Sequence, residues 1–246
     1  MIVSQFGVES WMDQYEEGAK YNITDTCAKP LSLAELFSLA GEDRTDFMDR
    51  FFEREQTYGT IFGSEKVKKE ISRLYESISP EEILTEHGAT GGNQHIFFSL
   101  IRPGDRVIAF SPSYQQFYSA PEALGAEVTV LRLRRENGYL PDLDELSQAA
   151  ARGVRMICLN NPNNPTGTLI PSDMLKDIVT IARQSGAYLL CDEVYSGVSI
   201  DEARSLSVCD LYEKGIATGS MSKDCCLLSP SQSPRDRQKS RLPSSD

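Results

Sequence analysis

Apolar and polar positions along the middle of the chain fall into two periods. Residues 64–77 (SEKVKKEISRLYES) repeat at helical spacing and put Val67, Ile71, Leu74 and Tyr75 on or near one face, which predicts an amphipathic helix. Four short runs rich in branched residues, 105–111, 126–133, 154–160 and 187–192, lack strict alternation and read as strands buried on both faces. ILTEHG, from Ile83, reads as a further short strand running into a glycine-bearing turn, and NQHIFFSLI, from Asn93, as a buried helix. Between the last two runs, 171–185 carries Pro171 near a helix start and ends at Gly186. Strands separated by helices predict an α/β class: a mainly parallel sheet flanked by helices on both faces.

The two ends of the chain read differently. The first 60 residues hold no clear strand, and LSLAELFSLA (31–40) predicts a short helix in an irregular arm. The last twenty contain six serines, three prolines and no aromatic residue, a composition that cannot offset its ordering entropy by burial. Three units are therefore expected: an arm with a helix over 1–55, an α/β body over 56–224, and a disordered tail over 225–246.

Composition narrows the function classes. A formal charge of -11 disfavours nucleic acid or an anionic membrane as the main partner. No apolar run approaches the roughly 20 residues of a membrane span, and the first residues lack the pattern of a secretory signal. The six cysteines show no metal-ligand spacing; Cys158 and Cys191 lie inside apolar runs and read as small buried hydrophobes. A reducing cytoplasm is the expected setting, with no metal.

Four motifs follow in order. Gly88-Ala89-Thr90-Gly91-Gly92 stands between a predicted strand and helix, where backbone amides at a helix N-terminus favour an anion. NNPNNPTG, Asn160 to Gly167, follows a predicted strand, at the end where open α/β sheets place ligands. The strand AYLLC ends in Asp192-Glu193-Val194-Tyr195, and Gly219-Ser220-Met221-Ser222-Lys223 comes next. Taken singly each is weak. Their order and spacing over roughly residues 55 to 223 resemble the class I/II aminotransferase family of fold-type I enzymes, which use pyridoxal 5′-phosphate (PLP).

The resemblance implies a role for each matching residue. Lys223 would anchor the cofactor aldehyde as a Schiff base and carry the proton to and from the substrate α-carbon. Asp192 would keep the pyridine nitrogen protonated, while Asn164 and Tyr195 would bond the phenolic oxygen. The backbone amides of Ala89 and Thr90, the Thr90 hydroxyl and the Ser220 hydroxyl would hold the phosphate. Tyr114, in SPSYQQFY, would stack on the ring, and Tyr58, in TYGTIFG, would reach the phosphate of a neighbouring subunit in a homodimer. Substrates would be an α-amino acid and a 2-oxo acid.

After Lys223 the sequence DCCLLSPSQSPRDRQKS offers no counterpart to the family's phosphate-binding arginine, next strand or C-terminal small domain. The expectation is an incomplete PLP-binding large domain with the small domain missing, the product of truncation or a frameshift, with weak PLP binding and impaired activity. The same front half also serves C–S lyases and amino-acid cyclases. A non-catalytic fragment is the alternative from a different class.

Overall fold

The computed structural model describes residues 4–16, 18–21, 31–55, 58–198 and 205–224, with Asp224 by its backbone alone. The expected tail over 225–246 and residues 1–3, 17 and 22–30 of the arm lie outside these residues. The described N-terminal part is helical: α1 (Gly7–Tyr15), α2 (Leu33–Ala40) and α3 (Arg44–Phe52). Ser32 and Glu35 form a capping box at the start of α2, and the Asp43 side chain accepts from the Asp46 amide at the start of α3.

Helix α4 (Glu65–Ser72) is shorter than its apolar spacing suggests. Beyond it the Leu74 and Tyr75 amides bond three residues back, to Ile71 and Ser72, and Oδ1 of Asp210 then accepts from the amides of Glu76 and Ser77 and from the Ser77 hydroxyl. The stretch from Ile83 is also corrected. Ile83 has extended dihedrals, but ILTEHG joins no described sheet, and Leu84 to His87 are exposed to water. Extended residues without a neighbouring strand have no ladder to enter.

From there helices and strands alternate: α5 (Gly88–Leu100), β1 (Arg106–Ser111), α6 (Gln116–Ala123), β2 (Glu127–Arg132), α7 (Leu143–Ala150), β3 (Met156–Asn160), α8 (Ser172–Ser185), β4 (Tyr188–Asp192), α9 (Val208–Leu211), β5 (Gly215–Thr218) and α10 (Met221–Asp224). Pro171 and Gly186 bound α8 as expected, with Gly186 in the left-handed region at φ 71°. Helix α5 starts earlier than expected, at the glycines, and is only half buried: Asn93 and Phe97 face inward while Phe98 and Ser99 are exposed.

The strands form one parallel sheet in the order β2-β1-β3-β4-β5, which bears out the α/β class. Alternation within each buried strand builds two cores. Ile108, Phe110, Ile157, Leu159, Leu189 and Cys191 face the side of α7 and α8. Val107, Ala109, Met156, Cys158 and Leu190 face α5 and α6, where Phe97 and Phe117 close the layer. Cys158 and Cys191 are buried, as read from their apolar runs, and burial pushes both thiols above their usual range. Each large aliphatic chain buried here contributes about 1.5–3 kcal/mol relative to exposure.

The strand order fixes where a ligand fits. Chain progression runs outward from β1 to β2, then returns across β1 to β3, so the carboxyl ends of β1 and β3 diverge into a crevice. Register brings Asn160 opposite Asp192 and Asp192 opposite Thr218, so three polar residues end neighbouring strands at one level.

Candidate functional site

At the carboxyl edge of the sheet the apolar strand residues give way to Asn160, Asp192 and Thr218, all buried. Asp192 continues the alternation of β4 and so points to the same side as Leu190, toward α5. Its Oδ2 accepts from Nδ2 of Asn93 at 3.2 Å, and its Oδ1 from the Val194 amide at 3.1 Å. Burial pushes this carboxyl up to about 6, against the partial compensation of those two donors.

The loop after β3 is fastened to β4. The Asn160 side chain and the Asn161 amide both donate to the Asp192 carbonyl, at 3.0 and 2.9 Å. Oδ1 of Asn160 accepts from the Asn164 amide at 2.6 Å, and Nδ2 of Asn163 donates to the Pro112 carbonyl at 3.1 Å after β1. Asn164 is thereby placed so that its Nδ2 lies 3.4 Å from the hydroxyl of Tyr195. Both side chains are half buried, with room at the crevice.

Ala89 and Thr90 occupy the first turn of α5, whose leading amides have no partner inside the helix. Gly88 opens this helix at φ 72°, a conformation that suits glycine. The Thr90 hydroxyl lies 3.4 Å from the Tyr114 hydroxyl. Tyr114 packs edge-on against Phe117 and against Phe6 from the N-terminal part. Burial raises its phenol, the Thr90 bond opposes the rise, and the charges of Glu9, Asp192 and Lys223 all act on it. Lys223, half buried in α10, therefore shares electrostatic neighbours with Asp192.

Two expected residues stand apart from these contacts. Ser220 is at the start of α10, where its Oγ accepts from the Ser222 amide at 3.1 Å and meets the Ser222 hydroxyl at 2.7 Å, a capping arrangement. Tyr58 is fully exposed and takes part in none of these contacts. Sequence reading missed Asn93, Gln116 and Thr218. Nδ2 of Asn93 donates also to Gln116, Thr218 donates to Asn93, and Gln116 donates to the Thr90 carbonyl. Asn93 heads the polar run Asn93-Gln94-His95 and carried no signal that set it apart, and Gln116 and Thr218 carried none either. The cavity beneath the Asn160–Gly167 loop is lined by Phe110, Leu133, Tyr139, Leu159, Asn163 and Ile170.

Set beside known proteins, residues 48–228 match the family described as aminotransferase class I and II, a match that continues past Lys223. Among curated relatives, the LL-diaminopimelate aminotransferase of Syntrophobacter fumaroxidans is 33% identical over 58% of this chain and 37% of its own length. The aspartate aminotransferase of Thermotoga maritima is 30% identical over 65% of this chain and 43% of its own. A solved PLP-dependent aminotransferase from Streptococcus suis 89-1591 superposes with a TM-score of 0.90 at 43% identity, covering 94% of this chain and 61% of that one. The chain thus spans about two fifths of the length of these curated relatives. Among the described residues no helix is long and apolar enough to cross a membrane.

Proposed function

The chain belongs to the class I and II aminotransferase family, and from that premise we propose that it binds PLP through Lys223 and moves the amino group of an α-amino acid to a 2-oxo acid. One observation carries the reading: a buried carboxylate, Asp192, ends a central strand within a cluster that also holds the α5 N-terminus, Tyr114 and Lys223.

The donor set fits this cofactor group by group. An aldehyde needs an amine, which Lys223 supplies. A pyridine nitrogen needs an acidic partner, and Asp192 is the buried carboxylate facing α5. A phenolic oxygen needs donors, which Asn164 and Tyr195 present side by side. A phosphate needs helix amides, which Ala89 and Thr90 offer in the first turn of α5 together with the Thr90 hydroxyl, and the Ser220 hydroxyl would join them by leaving Ser222.

Bound there, PLP supplies an aldehyde that captures an amine and a protonated ring that draws electrons from the substrate α-carbon. The chain's own residues do the rest. Once the substrate amine has displaced it from the aldehyde, Nζ of Lys223 would take the α-proton and deliver it to the carbon that was the aldehyde. Asp192 keeps the ring nitrogen protonated, and Asn164 and Tyr195 favour the ionised phenolic oxygen. The Tyr114 ring covers the site against water.

We further propose a homodimer in which Tyr58 reaches the neighbouring site. The full exposure of Tyr58, with the exposure of Phe52, Ile61 and Phe62 close to it in sequence, supports a second copy against this segment. Free thiols at Cys158, Cys191 and Cys209 fit a reducing compartment such as the cytoplasm.

The test is direct. The full chain is incubated with PLP, treated with borohydride and digested, and the added mass is located by mass spectrometry. Attachment at Lys223, lost in Lys223→Ala, supports the reading; no adduct, or an adduct only on surface lysines, defeats it. Amino transfer to 2-oxo acids is then assayed with a panel headed by aspartate and LL-diaminopimelate, the amino acids in the relatives' names.

A further inference from the structure

We infer that Asn93 is a positioning residue that fixes the plane of the Asp192 carboxylate from the α5 side. The inference deepens the proposed function and rests on that reading for the cofactor's part in it.

Asn93 is 0% exposed, and burying an unbonded amide costs several kcal/mol in order of magnitude. Here every polar atom of the side chain is used. Nδ2 donates to Oδ2 of Asp192 (3.2 Å) and to Oε1 of Gln116 (3.3 Å), while Oδ1 accepts from the Thr218 hydroxyl (3.0 Å). These partners decide which way the amide faces: reversed, its oxygen would oppose an ionised carboxylate and its nitrogen would oppose a hydroxyl that has no other acceptor in the group. Gln116 is held in turn, since its Nε2 donates to the Thr90 carbonyl at 2.9 Å. The chain of bonds therefore runs from the first turn of α5 through Gln116 and Asn93 to Asp192 on β4 and Thr218 on β5.

Asp192 receives one donor on each oxygen, Asn93 on Oδ2 and the Val194 amide on Oδ1. Two donors from different elements leave the carboxylate little freedom to rotate, yet use only part of its acceptor capacity of about four sites. The remaining sites stay available to a ring nitrogen. Positioning of this kind acts through a neighbour, and it is felt as a loss of alignment rather than of chemistry. Among the described residues Asp192 acts on Tyr114 and Cys191, and burial keeps both neutral in the range where Asp192 titrates; Lys223 acts on the same Tyr114.

The experiment is a carboxyl carbon-13 NMR titration of the full chain labelled at aspartate, with the Asp192 signal assigned by its disappearance in Asp192→Asn. In Asn93→Leu the Asp192 midpoint is expected to rise by about one pH unit, the size of one hydrogen bond to a charged group. Thr218→Val, which removes only the hydroxyl that orients the amide, is expected to raise it by less. A PLP titration followed by absorbance is expected to show about tenfold weaker binding in Asn93→Leu, the equivalent of that one unit. A folded Asn93→Leu chain with an unmoved Asp192 midpoint overturns the inference. If that variant does not fold, an unmoved midpoint in Thr218→Val overturns it instead. A parent chain that takes up no PLP defeats the functional reading, while the carboxyl titration still decides the role of Asn93.

Discussion

Asn160 and Asp192 face each other in register at the ends of β3 and β4, and the Asn160 side chain donates to the Asp192 carbonyl at 3.0 Å. The same side chain accepts from the Asn164 amide, so one residue joins the strand to the loop that presents Asn164. Asn160→Ala removes both bonds within a buried site. The expected loss is about 2–3 kcal/mol, read as a lower urea midpoint with an unchanged slope. A loss within experimental error of zero would mean that the loop is held by Asn161 and Asn163 alone.

Asp192 makes the cofactor-free fold sensitive to pH. Its carboxyl is raised to about 6 by burial, from an ordinary value of 3.8. Between those values the folded chain keeps a proton that the unfolded chain releases, so this group's contribution to stability falls as pH rises and levels off above about 6. Two units correspond to about 3 kcal/mol. Asp192→Asn lacks this dependence. Its stability relative to the parent should grow by about 3 kcal/mol between pH 4 and pH 8, by paired urea titrations. A difference that does not vary with pH would sink the prediction.

Two glycines of the same motif should respond with opposite signs. Gly88 has φ 72°, so Gly88→Ala forces a left-handed alanine and costs about 1–2 kcal/mol. Gly92 lies inside α5, and an added Cβ would meet Cγ2 of Thr218 at 3.7 Å, an ordinary contact. Gly92→Ala should therefore stabilise by up to about 1 kcal/mol through helix propensity. Thermal melts of the two variants against the parent check the pair. A destabilised Gly92→Ala would show that the approach of α5 to β5 tolerates no side chain.

What could be read from the sequence was what is local. The strands β1 to β4 announced themselves by runs of branched residues, and α8 by Pro171 and Gly186. The features missed depend on distant partners. ILTEHG has strand composition but finds no neighbouring strand, while β5 has only four residues, GIAT, to mark it. The segment after α4 is held by Asp210, 133 residues away from Ser77. Asn93 reads as one of three polar residues near the start of a helix until its partners at separations of 99 and 125 residues are known. Thr90, Asp192, Tyr114 and Lys223 were singled out by the order of the motifs, and the structure sets the other three about Tyr114. The capping arrangement of Ser220 was not, because it is set by the short turn into α10.

Glu193 stands beside Asp192 in sequence but faces the opposite side of the strand end. Its Oε1 accepts from the Ser207 hydroxyl at 2.9 Å and from the Val208 amide at 3.1 Å, so it holds the start of α9 against the end of β4. The carboxylate is buried at 6% exposure, and its partners belong to the scaffold rather than to the crevice. Glu193→Ala leaves the buried Val208 amide without its acceptor and the Ser207 hydroxyl with only the Cys209 sulfur, and should cost about 2 kcal/mol. Glu193→Gln keeps an oxygen at the same place and should recover most of that loss. Urea midpoints of the two variants separate these outcomes. The borohydride-fixed yield at Lys223 should match the parent in Glu193→Gln, since the residue supports the strand end without touching the cofactor. A yield that collapses while the urea midpoint holds would move Glu193 from the scaffold into the site.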